Sequence, residues 1–390
     1  MEPITALLDE ILEESRALRD GAPADYIPEL AVADPDQLAL AVVGPHGRVR
    51  AVGDADAQFT IQSISKPFVL ALALQERGRE AVLAKVGVEP SGEPFNAISL
   101  EAGTGRPANP MVNAGAIATS ALVVGDEIDD RMTRIVDTLS AFAGRSLWVD
   151  EAVYASESAT GDRNRALAHL LRSHGVIDGP VDIAVETYFR QCSLLVTVRD
   201  LAVMAATLAF GGVNPMTGDR VVREEVARDV MSIMASCGMY DFSGEWLLRV
   251  GLPAKSGVSG GLVAVAPSQF GVGAFSPNLD GHGNSVRASS VVEAIAERFG
   301  MHMLEPHESV AVPSIRVQSD ADGRVVRLSG ELGFAGIERV VAVLREIAAV
   351  VPEGAAVTVD AAELARTHPE AMVALRAEFA VMPGRFILRE

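Results

Sequence analysis

The sequence predicts a mixed α+β protein, with a large domain over residues 1–305 and a small α/β domain over residues 314–390. Segments with strand character stand on both sides of a mostly helical middle, an order that is typical of an α+β layered domain. Strands and helices alternate after residue 314, which predicts a separate small unit. A chain of 390 residues is long enough for more than one hydrophobic core.

The elements before the helical middle are a helix, a pair of strands and the start of a second helix. Residues 1–30 are predicted to be mainly helical because their apolar residues recur at helical spacing. Residues 38–54 predict two strands joined by a turn at 45–47. A further helix is predicted to open at Ser63, with Pro67 in its first turn, where the missing proline N–H is tolerated.

The middle of the chain has several segments with helical periodicity, separated by loops rich in Gly, Pro and Asn. These segments are AIATSALVVGDEI, RMTRIVDTLSAFAG, GDRNRALAHLLRSHG, VRDLAVMAATLAFGG and EEVARDVMSIMASCG. Residues 247–277 then change to strand character, with a Gly-rich turn between two apolar runs. A helix at SSVVEAIAERFG closes the large domain.

Residues 303–314 predict a linker, after which the elements become short and alternate. Their order is strand SIRVQ, turn DADG, strand RVVRLSGEL, helix IERVVAVLREIAAV, strand AAVTVD, helix PEAMVALRAEFAV and strand RFILRE. This alternation predicts a small sheet covered by helices.

Composition argues against several classes of partner and site. The formal net charge of −19 offers no basic patch to a phosphate backbone, so no nucleic-acid partner is expected. No run reaches the ~18–20 apolar residues of a membrane span, and the acidic start lacks the features of a secretory signal. We therefore expect a cytoplasmic protein without a membrane partner, in which Cys192 and Cys237 are reduced thiols. No Cys/His cluster has the spacing of a zinc site.

Ser63-Ile64-Ser65-Lys66 has the form S-x-x-K at the start of an apolar segment. Residues three apart share one face of a helix, so the Ser63 hydroxyl and the Lys66 amine can meet. A serine becomes a good nucleophile when a base takes its proton, and a lysine can be that base once burial or a nearby cation lowers its pKa. By itself the motif also fits an N-cap serine followed by a surface lysine.

Lysine usage adds weight to this motif. The chain has 33 basic residues but only three lysines, Lys66, Lys85 and Lys255. Lys255-Ser256-Gly257 resembles the K-T-G element that accompanies S-x-x-K in serine β-lactamases and penicillin-binding proteins, where it lies on an edge strand facing the nucleophile. A cation at Lys255 is expected to keep Lys66 neutral and to attract a substrate carboxylate.

Two further patterns compete with this interpretation or fail to complete it. Residues 257–261 fit G-x-S-x-G, but that elbow needs a helix after its serine, and GLVAVAP predicts a strand. The β-lactamase reading also needs an S-x-N or Y-x-N element between the other two motifs. Ser276-Pro277-Asn278 comes after Lys255 and so does not supply it.

Nine segments in order, over about residues 3–303, resemble the serine-dependent glutaminase family. They are DYIPEL, QSISKPF, EPSGEPFN, NPMVNAGAI, SESATGDRN, YFRQCSLLV, VMAATLAFGGVNPMTG, SCGMYDFSG and LPAKSGVSGG. The resemblance implies a β-lactamase-like fold and hydrolysis of L-glutamine to L-glutamate and ammonia, without a cofactor or a metal. It also implies a homodimer or homotetramer.

The same resemblance implies roles for individual residues. Ser63 corresponds to the nucleophile and Lys66 to its base, and Tyr240 could relay a proton to the leaving ammonia. The implied substrate-binding residues are Ser63, Asn113, Glu157, Asn164, Tyr188, Tyr240 and Val258. Glu157 suits an ammonium group, the Asn and Tyr donors suit a carboxylate and an amide, and the backbone amides of Ser63 and Val258 would form an oxyanion hole. Tyr26 and Lys255 are further candidates for the pocket.

Residues 314–390 resemble a STAS domain, on the strands RVVRLSGEL and AAVTVDAAEL. Members regulated by phosphorylation carry Asp-Ser-Ser where this chain has His368-Pro369-Glu370, so no phosphoswitch is expected, and the final helix is not found. The unit is expected to be an interaction or regulatory module with a protein partner. Two alternatives stay open for the whole chain: a penicillin-interacting serine hydrolase, and a non-catalytic amino-acid sensor that signals through this unit.

Overall fold

The computed structural model describes residues 3–92, 100–305, 313–320, 323–352 and 355–389. Parts of the EPSGEPFN segment, the linker and the DADG turn lie outside these residues. The chain divides into two compact units. One comprises Ile11–Glu293, and the other comprises Met1–Glu10 with Ala294–Glu390.

Up to residue 298, the described elements are mostly helices, with groups of three strands before and after the helical middle and one short strand within it. The helices of this part are α1 Pro3–Ser15, α2 Pro28–Ala31, α3 Ser65–Arg77, α4 Arg79–Leu83, α5 Asn113–Leu122, α6 Ile128–Ala143, α7 Glu151–Thr160, α8 Asp162–Ser173, α9 Val181–Cys192, α10 Val198–Ala209, α11 Glu224–Cys237, α12 Ser243–Arg249 and α13 Val286–Arg298. Its strands are β1 Ala39–Val43, β2 Val49–Gly53, β3 Phe59–Thr60, β4 Leu195–Val196, β5 Ala254–Ser256, β6 Gly261–Ala266 and β7 Phe270–Phe275. Two 3₁₀ turns, at Gln62–Ile64 and Tyr240–Phe242, precede α3 and α12.

The sheet of the larger unit is antiparallel, in the order β2-β1-β7-β6-β5. Strands from both ends of the unit therefore form one layer, as the sequence predicts. β1 and β2 pair across the expected turn, and β5 lies at the edge of the sheet. This position places Lys255 and Ser256 on an edge strand, as the K-S-G motif predicts.

Helix α10 packs directly on the sheet because two glycines in β7 have no side chain. A Cβ at Gly271 would lie 2.1 Å from the backbone oxygen of Ala202 and 2.1 Å from the nitrogen of Ala206. A Cβ at Gly273 would lie 2.4 Å from the backbone oxygen of Val198. Close contact between strand and helix backbones therefore requires glycine at both positions.

Helix α3 is buried around its whole circumference, and every residue of Ser65–Leu74 is buried. The helices α5, α6 and α11 pack around it. An apolar helix that is hydrophobic on all sides needs such a position. The core thus holds the residues next to Ser63 in a rigid helix.

Several predicted boundaries differ from the structure. The first helix ends at Ser15 instead of extending towards residue 30, because the following segment contains Gly21 at φ +81 and is mostly irregular. Residues 243–249 form α12, so the strand character predicted from residue 247 begins only at β5. Helices α7 and α9 were not predicted.

The C-terminal elements follow the predicted order. They are β8 Ser314–Asp320, β9 Gly323–Leu332, α14 Phe334–Val350, β10 Val357–Thr367, α15 Pro369–Val381 and β11 Phe386–Arg389. The sheet order is β11-β10-β9-β8, with β8 antiparallel to β9 and the other pairs parallel. An ion pair from Arg345 to Glu378 at 2.6 Å joins α14 to α15.

Both cysteines are free and buried, as expected. No helix among the described residues combines the length and the apolar character that a membrane crossing would need.

Candidate active site

The S-x-x-K motif begins in the 3₁₀ turn that leads into α3. Ser63 is 6% exposed, and Gln62 before it adopts a φ of +49°. L-residues without special support rarely adopt a positive φ, and such positions concentrate at functional sites. Gln62 Nε2 donates a hydrogen bond to Thr60 Oγ1 over 3.3 Å, and Gln62 is also hydrogen bonded to Glu157.

Lys66 is almost fully buried directly behind the turn. Its Nζ donates hydrogen bonds to the backbone oxygen of Met111 over 3.2 Å and to Asn113 Oδ1 over 2.8 Å. Burial lowers the pKa of Lys66 to about 8, although Cys192 and Glu157 act in the opposite direction. At pH 7 about a tenth of the molecules therefore have a neutral Lys66, far more than for a lysine with an ordinary pKa.

Asn113 connects three of the predicted residues. It is the first residue of α5, and its Oδ1 also accepts from the Tyr188 hydroxyl over 3.2 Å. Its Nδ2 donates to Asn164 Oδ1 over 3.1 Å. The amide of Asn113 thus fixes the relative positions of Lys66, Tyr188 and Asn164, which lie on three different helices.

Glu157 is the acidic residue of this cluster. It lies in α7, whose start is capped by the Asp150 carboxylate accepting from Ala152 N and Val153 N. Burial raises the pKa of Glu157 to about 7, while the hydrogen bond with Gln62 and the charge of Lys66 hold it from rising further.

Tyr240 lies on the other side of Ser63. Its hydroxyl donates to the backbone oxygen of Ser256 over 3.2 Å, and it is hydrogen bonded to Ser63. Burial raises the pKa of Tyr240 to about 12, so the phenol keeps its proton. Its φ of +59° is a second strained position next to the nucleophile.

The structure changes the role expected for Lys255. It is 0% exposed and does not line the pocket described below. Its Nζ donates to the backbone oxygen of Ser256 over 2.7 Å and lies 3.9 Å from the centre of the Tyr240 ring. Burial and the nearby Lys66 charge lower the pKa of Lys255 well below its usual value. Burial therefore favours the neutral form of Lys255, and its position outside the pocket lining argues against direct contact with a substrate carboxylate.

One pocket of about 230 Å³ collects most of the predicted residues. It is smaller than the ~300–1,000 Å³ of sites for drug-sized ligands, which suits a free amino acid. The predicted residues that line it are Tyr26, Ser63, Asn113, Glu157, Asn164, Tyr188 and Val258. Tyr26 remains 50% exposed at this pocket. Lys66 and Tyr240 do not line this pocket; Lys66 contacts its lining residue Asn113, and Tyr240 is hydrogen bonded to Ser63.

Sequence reasoning missed four residues that line the same pocket: Gln62, Thr160, Gly161 and Arg163. All four lie within the segments QSISKPF and SESATGDRN, which carry the resemblance. Their position in those segments is the signal that could have identified them. Cys192 was also missed, although it is buried and interacts with Lys66, Tyr188 and Glu157 of this cluster.

The competing motifs have structural roles. Ser259 is followed by β6 and not by a helix, so residues 257–261 do not form a nucleophile elbow. The hydroxyl of Ser276 accepts a hydrogen bond from Arg287 Nε over 2.9 Å and is fully buried. The sequence analysis likewise rejected residues 257–261 as a nucleophile elbow and Ser276-Pro277-Asn278 as the third β-lactamase element.

The backbone amides of Ser63 and Val258 have no backbone hydrogen-bond acceptor among the described residues. Val258 is 4% exposed and lines the pocket with Ser63. Paired amides that point to one place are the usual components of an oxyanion hole.

Comparison with known proteins gives one consistent family. A glutaminase family model matches residues 21–304. Glutaminase 2 of Bradyrhizobium diazoefficiens is 49% identical over 363 residues, covering 87% of this chain and 57% of that protein. The chain therefore spans little more than half the length of this relative. A glutaminase of Trichormus variabilis is 48% identical over 303 residues, covering 78% of this chain and 91% of that protein. The crystal structure of Mglu in its glutamate form is similar at a TM-score of 0.77 and 40% identity, covering 100% of this chain and 99% of that chain.

Proposed function

The chain belongs to the glutaminase family, and we propose that it hydrolyses L-glutamine to L-glutamate and ammonia, with Ser63 as its nucleophile and Lys66 as its general base. One observation carries this assignment: the pocket brings Ser63 together with Glu157, Asn113, Asn164 and Tyr188. Lys66 is buried one turn after Ser63 and donates to Asn113 of this pocket, and Tyr240 is hydrogen bonded to Ser63.

The hydrogen bonds of Lys66 support its role as the base. A neutral amine has two N–H donors and one lone pair. The donors are directed at Met111 O and Asn113 Oδ1, which leaves the lone pair to accept the proton of Ser63. The lowered pKa, about 8, keeps this neutral form accessible.

The pocket matches the groups of free glutamine. Glu157 binds the α-ammonium group, and the amide and hydroxyl donors of Asn113, Asn164 and Tyr188 bind the carboxylate and the side-chain amide. The amides of Ser63 and Val258 stabilise the oxyanion that develops on the side-chain carbonyl. The structure of the relative Mglu in its glutamate form supports a pocket of this kind for the product.

The reaction then proceeds in two steps. Ser63 Oγ attacks the side-chain carbonyl carbon while Lys66 takes its proton, and the C–N bond breaks as Tyr240 passes a proton to the departing ammonia. Tyr240 recovers its proton from Lys66. Water then attacks the carbonyl carbon of the resulting ester while Lys66 accepts a proton from it. The bond from that carbon to Ser63 Oγ breaks as Lys66 returns the proton to Ser63 Oγ, which releases L-glutamate and restores both residues.

We also propose the finer fold assignments. The antiparallel sheet, the S-x-x-K turn and the edge strand with Lys255 support a β-lactamase-like fold for residues 1–305. The order β-β-α-β-α-β supports a STAS-like module over residues 314–390. The family model ends at residue 304, which supports a boundary near the predicted linker.

The remaining assignments concern assembly and location. We propose a cytoplasmic homodimer or homotetramer whose STAS-like module binds a protein partner. Size-exclusion chromatography with light scattering would test the assembly, and cell fractionation would test the location.

The mechanism is tested by replacing Ser63. Ser63→Ala is expected to abolish ammonia release while binding of glutamate largely survives, since the pocket keeps Glu157 and its amide donors. Ser259→Ala is the matched control, because its hydroxyl is buried without a hydrogen-bond partner in the described structure and belongs to the rejected elbow. Ammonia release by Ser63→Ala at the level of this control would show that Ser63 is not the nucleophile.

A further inference from the structure

The second serine of the S-I-S-K segment has no part in the reaction described above, although it is fully buried next to the nucleophile. Ser65 Oγ donates a hydrogen bond to the backbone oxygen of Gln62 over 2.8 Å. The backbone amide of Ser65 is directed at the same oxygen. One residue therefore holds the Gln62 carbonyl with two donors.

This contact continues into the core through Gln191, in the last turn of α9. Gln191 Nε2 donates to Ser65 Oγ over 3.3 Å, and Gln191 Oε1 lies 2.8 Å from Ser120 Oγ on α5. The side chains of Ser65, Gln191 and Ser120 are all 0% exposed. Because Ser65 Oγ accepts from Gln191, its own hydrogen is left to point at Gln62.

The Gln62 carbonyl matters because it shares a peptide unit with the amide of Ser63. A peptide unit is planar, and in its trans form the C=O and the N–H point in opposite directions. Fixing the direction of the Gln62 carbonyl therefore fixes the direction of the Ser63 N–H. The positive φ of Gln62, +49°, means that this peptide orientation needs support from its surroundings.

We propose that Ser65 and Gln191 are positioning residues that aim the backbone amide of Ser63 at the oxyanion. The proposal rests on the function given above, in which that amide is half of the oxyanion hole. A misaligned oxyanion donor affects the transition state more than the bound substrate, so the network acts on kcat and not on KM. A role in folding alone would leave kcat per folded molecule unchanged.

The test compares Ser65→Ala, Gln191→Met and the double variant in the full chain. Each single variant is expected to lower kcat about tenfold, less than the ~10²–10³ for loss of a whole oxyanion donor, with KM for glutamine within about twofold of the wild type. The double variant should be no slower than Ser65→Ala, because both changes act through one carbonyl. Ser65→Thr keeps the hydroxyl and should restore most of kcat.

Ser193→Ala is the matched control. Ser193 is also 0% exposed, and its hydroxyl donates to the Phe189 backbone oxygen over 2.9 Å, away from the nucleophile. The Ser193→Ala variant should be less stable than the wild type but should have the same kcat when rates are normalised to folded protein. Equal kcat in Ser65→Ala and Ser193→Ala would overturn the proposal. If Ser65→Ala does not fold, kcat of Gln191→Met is compared with that of Ser193→Ala, and equal values would again overturn it.

The two proposals fail in different ways. An active Ser63→Ala would overturn the mechanism itself. An inactive Ser63→Ala together with fully active Ser65→Ala and Gln191→Met would overturn only the positioning role.

Discussion

Two of the three lysines of this protein are buried beside one serine, and burial gives both a lowered pKa. The buried Lys66 is stabilised because two oxygens accept hydrogen bonds from its amine. The amine of Lys255 instead donates to one backbone carbonyl and lies over the face of the Tyr240 ring. An arginine could not serve at either place as a neutral group, since its guanidinium keeps its proton. A chain that otherwise uses arginine therefore keeps lysine where proton loss is needed.

Lys66→Arg is expected to be nearly as inactive as Lys66→Ala. The arginine keeps the positive charge but cannot accept the proton of Ser63, so both variants should lose about 10²-fold or more in kcat. The measurement is steady-state ammonia release from folded protein. Activity close to the wild type in Lys66→Arg would make Lys66 an electrostatic or structural residue instead.

The pH dependence of kcat/KM should report Lys66 and Glu157. The reaction needs a neutral Lys66, whose pKa is about 8, and an ionised Glu157, whose pKa is about 7. Protonation of either group lowers activity, so kcat/KM should rise as pH increases through these two values. In Glu157→Gln, the increase of kcat/KM near pH 7 should disappear and the increase near pH 8 should remain. KM of this variant should be much higher than that of the wild type. A wild-type profile that is flat between about pH 6 and 8 would contradict both assignments.

At the scale of single elements, the site depends on helices that bring side chains from distant parts of the chain. Asn113, Glu157, Asn164 and Tyr188 lie on α5, α7, α8 and α9, and the 3₁₀ turn brings Ser63 to them. Of these helices α5 packs on the buried α3, α8 and α9 pack on α5 and on each other, and α7 packs on α9. The sheet contributes the edge strand with Lys255 and Ser256, and α10 anchors that sheet.

Gly271→Ala should destabilise the protein strongly. The new Cβ would lie 2.1 Å from backbone atoms of α10, which cannot move away as a flexible side chain can. We expect a loss of about 3 kcal/mol or more in the free energy of unfolding. Gly281→Ala is the control, because a Cβ there meets no atom within 4 Å. Chemical denaturation of both variants measures the difference, and equal stabilities would mean that α10 does not pack as closely as described.

At the scale of the whole molecule, the groups assigned to the reaction all belong to one compact unit, Ile11–Glu293. The family model ends at residue 304, before the linker. The small unit has its own sheet and an ion pair between its two helices. Chemistry and the proposed partner binding are therefore assigned to different units.

A protein ending near residue 310 is expected to stay folded and to hydrolyse glutamine. The full-length and shortened proteins should have equal specific activity at matched folded fraction, and the oligomer size should change only if the small unit takes part in assembly. Circular dichroism and ammonia release measure the two quantities. A shortened protein that is folded but inactive would show that the C-terminal unit helps to build the active site.

The sequence by itself determined the mixed fold class, the order of the C-terminal elements, the buried helix after Ser63 and the family. These are local or cumulative properties, because apolar periodicity, turn residues and ordered motifs are visible without knowing which residues meet. Helix α9 could also have been predicted, since Val181, Ala184, Val185, Tyr188 and Cys192 follow helical spacing. Helix α7 lacks such a continuous apolar stripe, and its capping Asp150 was the main signal.

Only the tertiary structure decided how the site residues act on one another. It showed that Asn113 joins Lys66, Tyr188 and Asn164, and that Gln62 adopts a positive φ held by Ser65 and Gln191. It also placed Lys255 in a fully buried position outside the pocket lining, where burial lowers its pKa. Charge state and hydrogen-bond direction depend on burial and on neighbours far away in sequence, and these arise only when the helices and the sheet pack together.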